Sequence, residues 1–216
     1  MLLRRLTALS AATLVLMSSV NVLAAPARSW DLSRDVMSIP GYPNVTSYSG
    51  NTVGTWSFHY GAVSAPLSLG TFTSVPNTFY WGSGGGSNTP GVFVPGQSST
   101  YFTASFTKGL VSLHPGPTQP VIVKWAGSTT SAVRVLARFS DIDPTVSVNC
   151  ADGVKWVVYK NTTVLGNGVI ANGNHGAVFD TAVSVVPADN LYFVVEPNVN
   201  YSCDSTALDV LITATP

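Results

Sequence analysis

The sequence predicts an all-β fold, an antiparallel β-sandwich of jelly-roll type, and three observations lead to this prediction. Short runs of β-branched and aromatic residues recur along the chain, separated by turn residues at roughly the spacing typical of sandwiches. No segment keeps an amphipathic helical period for three turns. The 216 residues less a leader of 24 leave 192, which suits one large β domain with one core.

Residues 1–24 are predicted to be a signal peptide. Arg4 and Arg5 precede an uncharged apolar run from Leu6 to Val20, and small residues follow up to Ala24. The mature protein is therefore expected to be secreted, either extracellular or periplasmic. The apolar run is shorter than the ~20 residues of a membrane span, so no membrane insertion is expected.

Residues 25–50 show no sustained period and are predicted to form an extended N-terminal arm or a first strand. The sandwich domain is expected over residues 51–216. Its first strands are predicted at Thr55–Tyr60, Thr78–Trp81, Tyr101–Phe106 and Val121–Trp125. A surface loop is expected from Gly82 to Gly96, within which Val92-Phe93-Val94 is either a short strand or an exposed patch.

The second half of the domain has a clearer strand pattern. From Ala132 to Ser140, apolar residues at 133, 135, 137 and 139 alternate with Arg134, Leu136 and Arg138, which predicts a strand exposed on one side. Further strands are predicted at Val154–Tyr159, Thr163–Ile170, Ala177–Val186, Leu191–Val195 and Leu208–Thr213. Turns are expected at Lys160-Asn161 and at Pro187–Asn190.

Charge is scarce, at 9% of residues. Without Arg4 and Arg5, 8 basic residues face 10 acidic ones, giving the mature chain a net charge of about −2. Such a balance argues against nucleic acid or an anionic membrane as a partner. A surface of Ser, Thr, Asn, Gly and aromatic edges is common in bacterial secreted β-proteins.

The two cysteines, Cys150 and Cys203, are predicted to form a disulfide, because an even count in an oxidising compartment favours pairing. That bond would bring four carboxylates to one end of the sandwich: Asp141, Asp143, Asp152 and Asp204. Clustered carboxylates are suitable ligands for Ca²⁺, whereas Asp also caps loop turns without any metal. Both interpretations stay open.

Several short motifs resemble a β-sandwich module of bacterial secreted and cell-surface proteins. They are Leu113-His114-Pro115-Gly116, Val123-Lys124-Trp125, Phe139-Ser140-Asp141, Asp152-Gly153-Val154 and Asn200 to Thr206 with Leu208-Asp209. The resemblance runs from about Thr55 to the C-terminus. It implies a sandwich like galactose-binding domains or carbohydrate-binding modules. The two cysteines fall outside the pattern of these look-alikes.

Carbohydrate binding needs aromatic faces and well-placed polar groups. Trp125 and Trp156 lie inside apolar strands and are predicted to be core residues, whereas Tyr80 and Trp81 border the Gly-rich loop and are expected to face solvent. Asn200 and Tyr201 are candidates for contact with a sugar. In the alternative reading of that stretch, Asp204 and Ser205 close a turn that positions the last strand.

No catalytic residue is predicted. The three histidines, His59, His114 and His175, lack metal-binding spacing, and His114 is interpreted as a turn residue. There is no Gly-x-Ser-x-Gly motif.

Three functions remain as hypotheses. The first is a non-catalytic module that binds a polysaccharide or cell-surface glycan. The second is a self-associating structural or adhesive protein, suggested by the uncharged Ser/Thr/Gly-rich surface and by the island Val92–Val94 if it is exposed. The third, a polysaccharide lyase or hydrolase, rests on fold analogy alone.

Overall fold

The structure, a computed structural model, describes residues 28–43, 50–71, 77–83, 89–127, 131–144, 150, 152–173 and 175–215. The predicted signal peptide and the glycines at 84–86 lie outside the described residues. In the part of the chain that is described, no helix has the length and apolar character needed to cross a membrane.

Seventeen strands and one short helix make up the described chain. In chain order they are β1 (Ser29–Asp31), α1 (Leu32–Met37), β2 (Thr52–Val53), β3 (Trp56–Tyr60), β4 (Ala62–Pro66), β5 (Ser68–Thr71), β6 (Thr78–Gly82), β7 (Gly91–Pro95), β8 (Ser99–Tyr101), β9 (Ala104–Phe106), β10 (Val111–His114), β11 (Val121–Ala126), β12 (Ser131–Asp141), β13 (Val154–Lys160), β14 (Thr163–Ile170), β15 (Gly176–Val185), β16 (Asn190–Pro197) and β17 (Thr206–Ala214).

The strands form two large antiparallel sheets and one separate hairpin. Sheet 1 has eight strands in the order β15-β12-β17-β10-β7-β6-β5, with β1 beside β17. Sheet 2 has seven strands in the order β14-β13-β16-β11-β3-β2, with β4 beside β3. The hairpin consists of β8 and β9.

The last eight strands have the nested pairing of a jelly roll. Strand β13 pairs with β14, β12 with β15, β11 with β16, and β10 with β17, so the chain forms one long hairpin wound across both sheets. Winding in this way places β10, β12, β15 and β17 in sheet 1 and the other four in sheet 2. The predicted fold class, an antiparallel β-sandwich of jelly-roll type, is therefore confirmed.

The main core lies between the two sheets. The alternation predicted for β12 is observed, because Val133, Val135, Ala137 and Phe139 are all fully buried in this core. Trp125 and Trp156 are also core residues, as predicted. Each such large side chain contributes about 1.5–3 kcal/mol by leaving water.

Two local predictions need correction. The surface loop expected from Gly82 to Gly96 contains strand β7, so of the two alternatives for Val92-Phe93-Val94 the short strand is observed, and all three residues are buried. One of the two grounds for self-association is thereby removed, and self-association itself stays an untested hypothesis. The second correction concerns Tyr101–Phe106, predicted as one strand, which folds as the hairpin β8–β9 with Phe102 and Thr103 in its turn.

The N-terminal segment contributes one strand and the helix. Strand β1 pairs with β17, and α1 follows directly. The Asp31 carboxylate caps the helix by accepting a hydrogen bond from the Arg34 amide at 2.9 Å. Leu32 and Val36 of the helix are fully buried in the main core, so this segment closes one border of the sandwich.

Candidate functional site

The β8–β9 hairpin covers part of the outer face of sheet 1. Along β6, Phe79 and Trp81 point into the main core, so Tyr80 between them points to the opposite face. There it joins Phe93 of β7 and two residues of the hairpin, Ala104 and Phe106, in a second buried apolar cluster. This group of four residues, the outer cluster, fixes the hairpin to the sheet.

A pocket of about 460 Å³ lies beside the outer cluster, between the hairpin and residues 201–205. We call it the hairpin pocket. Its aromatic lining consists of Phe93, Tyr101, Phe102, Phe106 and Tyr201. Phe102 is 85% exposed and contacts Tyr101 edge to face, with ring centroids 4.5 Å apart. The pocket therefore offers aromatic surface that water can reach.

Phe102 has a positive φ of 52°, a conformation that bulky side chains rarely adopt. It occupies the first position of the two-residue turn between β8 and β9, where glycine is the usual residue for this φ sign. The turn holds a large ring in solvent at the mouth of the pocket. Neither feature favours the stability of the fold.

His114 supplies a polar group at the pocket. Val111 and Leu113 of β10 point into the main core, so His114 lies on the outer face. Its Nδ1 donates a hydrogen bond to the Pro115 carbonyl at 2.7 Å, which leaves Nε2 as an acceptor. Burial lowers the pKa of His114, although the Pro115 carbonyl and the charge of Asp143 oppose the shift. The imidazole is therefore neutral at pH 7.

Asp143 is the carboxylate that lines the hairpin pocket. Its Oδ2 accepts a hydrogen bond from the Thr103 hydroxyl at 2.7 Å, and its amide donates to Asp141 Oδ1 at 2.9 Å. The hairpin turn thus holds the carboxylate of Asp143, and the end of β12 holds its backbone. Thr89, Ser202 and Ser205 add further polar side chains to the lining.

The opposite wall of the pocket is tied down by the predicted disulfide, which is confirmed. Cys150 and Cys203 are bonded across 53 positions, with their Cα atoms 5.3 Å apart. Asn172 reinforces this junction, since its Nδ2 donates to the carbonyls of Cys150 and Cys203 at 2.5 and 3.1 Å. The two cysteine segments therefore meet at one end of the sandwich, as expected.

Asp152 anchors the start of the same wall. Its carboxylate accepts hydrogen bonds from the amides of Val199 and Asn200 and from Asn200 Nδ2, at 2.6–2.9 Å. Burial alone would raise the pKa of Asp152, but these hydrogen bonds outweigh it and hold the pKa below the ordinary value. The Asn200 side chain is occupied in this anchor, and its Oδ1 also accepts from the Ser202 amide.

Asp204 differs from the other three carboxylates. It is only 1% exposed, and neither carboxyl oxygen has a hydrogen-bond partner among the described residues. Burial and the charges of Asp152, Asp141 and Asp143 raise its pKa to about 8. Asp204 therefore lies close enough to the other three carboxylates for their charges to act on it.

The arrangement gives no support to a Ca²⁺ site. Among the residues that the structure describes, no three His, Cys, Asp or Glu side chains are grouped so that they could hold a metal ion. Asp141 accepts hydrogen bonds from the backbone amides of Asp143 and Gly173. Asp152 accepts them from the backbone amides of Val199 and Asn200. Loop closure explains these two carboxylates, and metal binding stays an untested prediction.

The predicted ligand residues have different positions. Trp81 is 0% exposed in the main core, and its Nε1 donates to the Gly50 carbonyl at 2.9 Å. Tyr80 is buried in the outer cluster. The expectation that both face solvent is wrong, because β6 is covered on both faces. Tyr201, by contrast, is 37% exposed and lines the hairpin pocket, next to the edge of the His114 ring.

Most residues of the pocket were not predicted from the sequence to be near a ligand, among them Phe102, His114 and Phe93. His114 is the last residue of β10 rather than a turn residue, and the inward Val111 and Leu113 were the pattern that could have placed it on the outer face. Phe102 had no such signal, since no Gly, Pro or Asn marks its turn.

No protein-family model matches the sequence, and no curated protein is significantly similar to it. Solved structures that resemble the fold include carbohydrate-binding modules. One is a family 51 module of Clostridium perfringens GH95 in complex with methyl-galactose, with 11% identity and a TM-score of 0.37. The alignment covers 85% of this chain and 99% of that one.

A second is a family 35 module from Paenibacillus barcinonensis, with 15% identity, a TM-score of 0.32, and coverage of 68% of this chain and 100% of that one. A third, the CBM51-2 and INT domains of Clostridium perfringens ZmpB, has 14% identity and a TM-score of 0.35 over 51% of this chain. This chain spans 23% of that structure. These values are too low to carry the ligands of those proteins over to this chain.

Proposed function

We propose that this chain is a secreted, non-catalytic module that binds a glycan, either a cell-wall polysaccharide or a cell-surface glycan, in the hairpin pocket. The observation that carries the proposal is the combination of exposed aromatic rings with fixed hydrogen-bonding groups in one cavity of about 460 Å³. That volume falls within the roughly 300–1,000 Å³ of small-molecule sites.

The lining matches the two sides of a sugar. A pyranose ring has an apolar face of C–H groups, which the exposed ring of Phe102 and the half-exposed ring of Tyr201 can cover. Its hydroxyl groups need acceptors, and Nε2 of His114 and the carboxylate of Asp143 are acceptors on residues that line the pocket. Stacking and hydroxyl recognition are thus both available in one place.

The carboxylate count supports binding without catalysis. Most glycoside hydrolases use a pair of carboxylates that flank the scissile bond. Of the side chains described in the structure, Asp143 is the only carboxylate that lines the hairpin pocket. A glycoside hydrolase would need a second carboxylate on the opposite side of the cavity.

The disulfide supports the proposed location. A bond between Cys150 and Cys203 persists in an oxidising compartment and is rare in the cytosol. This agrees with the signal peptide that the sequence predicts.

The test is binding to a panel of insoluble polysaccharides and immobilised glycans, comparing the wild type with Phe102→Ala. Because the Phe102 ring is 85% exposed, its loss should leave the fold intact. Glycan binding should weaken about tenfold, which corresponds to a loss of ~1.4 kcal/mol of binding free energy. Val178→Ala is the matched control, since Val178 is also exposed in sheet 1 but does not line the pocket. A folded protein that retains no member of a broad panel would overturn the proposal.

A further inference from the structure

We infer that the hairpin pocket selects sugars without a carboxylate and discriminates against uronic and sialic acids. This inference rests on the proposed function and adds the chemical class of the ligand. It follows from the charges that line and surround the cavity.

The first observation is the sign of the charges at the pocket. Among the described lining residues there is no Lys or Arg, and the charged side chain is the carboxylate of Asp143. The Thr103 hydroxyl donates to Oδ2 of Asp143 at 2.7 Å and holds its side chain, while the Asp143 backbone amide donates to Asp141 Oδ1 at 2.9 Å. A ligand carboxylate in the cavity would meet this negative charge, and none of the described lining residues is a Lys or Arg that could pair with the ligand.

The second observation is the state of the other ionisable residue in the lining. His114 gives its Nδ1 proton to the Pro115 carbonyl, and the shift in its pKa keeps the ring neutral at pH 7. Its remaining nitrogen accepts hydrogen bonds and so favours a sugar hydroxyl over a carboxylate. The imidazole therefore supplies no positive charge to an acidic sugar.

The third observation is the acidic surroundings of the pocket wall. Asp141 and Asp152 hold segments that lead into the wall, and Asp204 follows Cys203 directly. The negative charges here are those of Asp141 and Asp152, because burial and the neighbouring carboxylates raise the pKa of Asp204 to about 8 and keep it mainly protonated at pH 7. The field in the cavity is therefore negative beyond the contribution of Asp143.

The experiment uses matched pairs of methyl glycosides that differ at C6: glucose with glucuronic acid, galactose with galacturonic acid, and mannose with mannuronic acid. N-acetylneuraminic acid is included, and affinities are measured by ligand-observed NMR or calorimetry at pH 7. Whichever neutral sugar binds, its uronate should bind at least about tenfold more weakly at low salt. The ratio should shrink as salt is raised, because screening weakens the repulsion.

Asp143→Asn is the specific variant, since the amide oxygen can still accept from Thr103 while the charge is removed. This variant should reduce the difference in affinity between the neutral sugar and the uronate of each pair. Asp180→Asn, at a partly exposed residue of β15, should leave that difference unchanged. A uronate that binds as tightly as its neutral partner, in a manner that Phe102→Ala abolishes, overturns this inference and leaves the proposed function standing. If Phe102→Ala leaves the affinity for the sugars unchanged, or if no sugar binds at all, the proposed function is overturned instead.

Discussion

The main core and the end of the sandwich that carries the hairpin pocket are built by different rules. Between the sheets, large apolar side chains such as Trp81, Phe58 and Phe139 are fully buried and pack against one another. At the pocket end, Phe102 takes a positive φ with an exposed ring, and Asp204 is buried without a hydrogen-bond partner among the described residues.

The comparison shows which parts of the chain contain features that reduce the free energy of unfolding. The apolar side chains of the main core favour folding, because their burial removes apolar area from water. The pocket end contains features that oppose folding and are tolerated because the disulfide and the Asp152 hydrogen bonds hold the segment in place. Such a contrast is expected where one region provides stability and another provides a site.

The largest expected effect comes from breaking the main core at Trp81. Trp81→Ala removes a fully buried ring that packs on Phe58 at 4.5 Å between centroids, so the free energy of unfolding should fall by about 3–5 kcal/mol. Urea unfolding measures this loss. Glycan affinity per folded molecule should change little, because Trp81 does not line the hairpin pocket.

Phe106→Ala is the matched comparison in the outer cluster. Its ring is buried between the hairpin and sheet 1 and also lines the pocket, so glycan affinity should fall by a larger factor than in Trp81→Ala. Should Trp81→Ala abolish binding while the protein stays folded, the division between core and site would be wrong. Trp81 would then have the ligand role that the sequence suggested.

An intermediate effect of opposite sign is expected at Asp204. Its pKa is about 8 in the folded protein, against 3.8 for the ordinary group, so folding binds a proton more tightly than the unfolded chain does. The stability that this protonation provides is complete below pH 4 and is lost as pH rises towards 8. Asp204→Asn should remove this pH dependence, because the amide carries no charge, so the free energy of unfolding of the variant should gain on that of the wild type as the pH rises from 4 to 8.

Urea unfolding of both proteins at several pH values between 4 and 9 measures the effect. Only the difference between the two is interpreted, because histidines titrate in the same range. Asp209→Asn is the control, as Asp209 is exposed and paired with Arg138 at 3.3 Å. A difference that does not grow between pH 4 and 8 would mean that Asp204 is ionised in the folded state at no cost.

The two regions also differ in how far the sequence predicted them. The jelly roll follows from alternation in strands such as β12, because a buried face and an exposed face leave a period of two in the residues. The disulfide follows from the cysteine count, and the shared position of the four carboxylates follows from the disulfide.

The pocket itself was not predictable in this way, because it depends on which strand is covered on its outer face. Tyr80 and Trp81 end a strand beside a Gly-rich loop, a pattern that suggests exposure. The hairpin β8–β9 covers Tyr80 from outside and the main core encloses Trp81 from inside, and neither long-range contact leaves a local trace in the residues around them. Tyr201 was a candidate because it lies in the stretch Asn200 to Thr206 that carries the resemblance to carbohydrate-binding modules, and it lines the hairpin pocket.

The smallest expected effect on stability, and the sharpest test of the contrast, lies at Phe102. Phe102→Gly places the preferred residue at a φ of 52° and should raise the free energy of unfolding by about 0.5–1 kcal/mol. Glycan affinity should fall as it does in Phe102→Ala, which loses the same ring without the freedom of glycine. Thermal unfolding and glycan titration of both variants separate the two effects. A gain in stability with unchanged glycan affinity would show that the exposed ring has no role in binding. A gain in stability together with a loss of glycan affinity would mean that this position holds a strained aromatic residue because the site requires it.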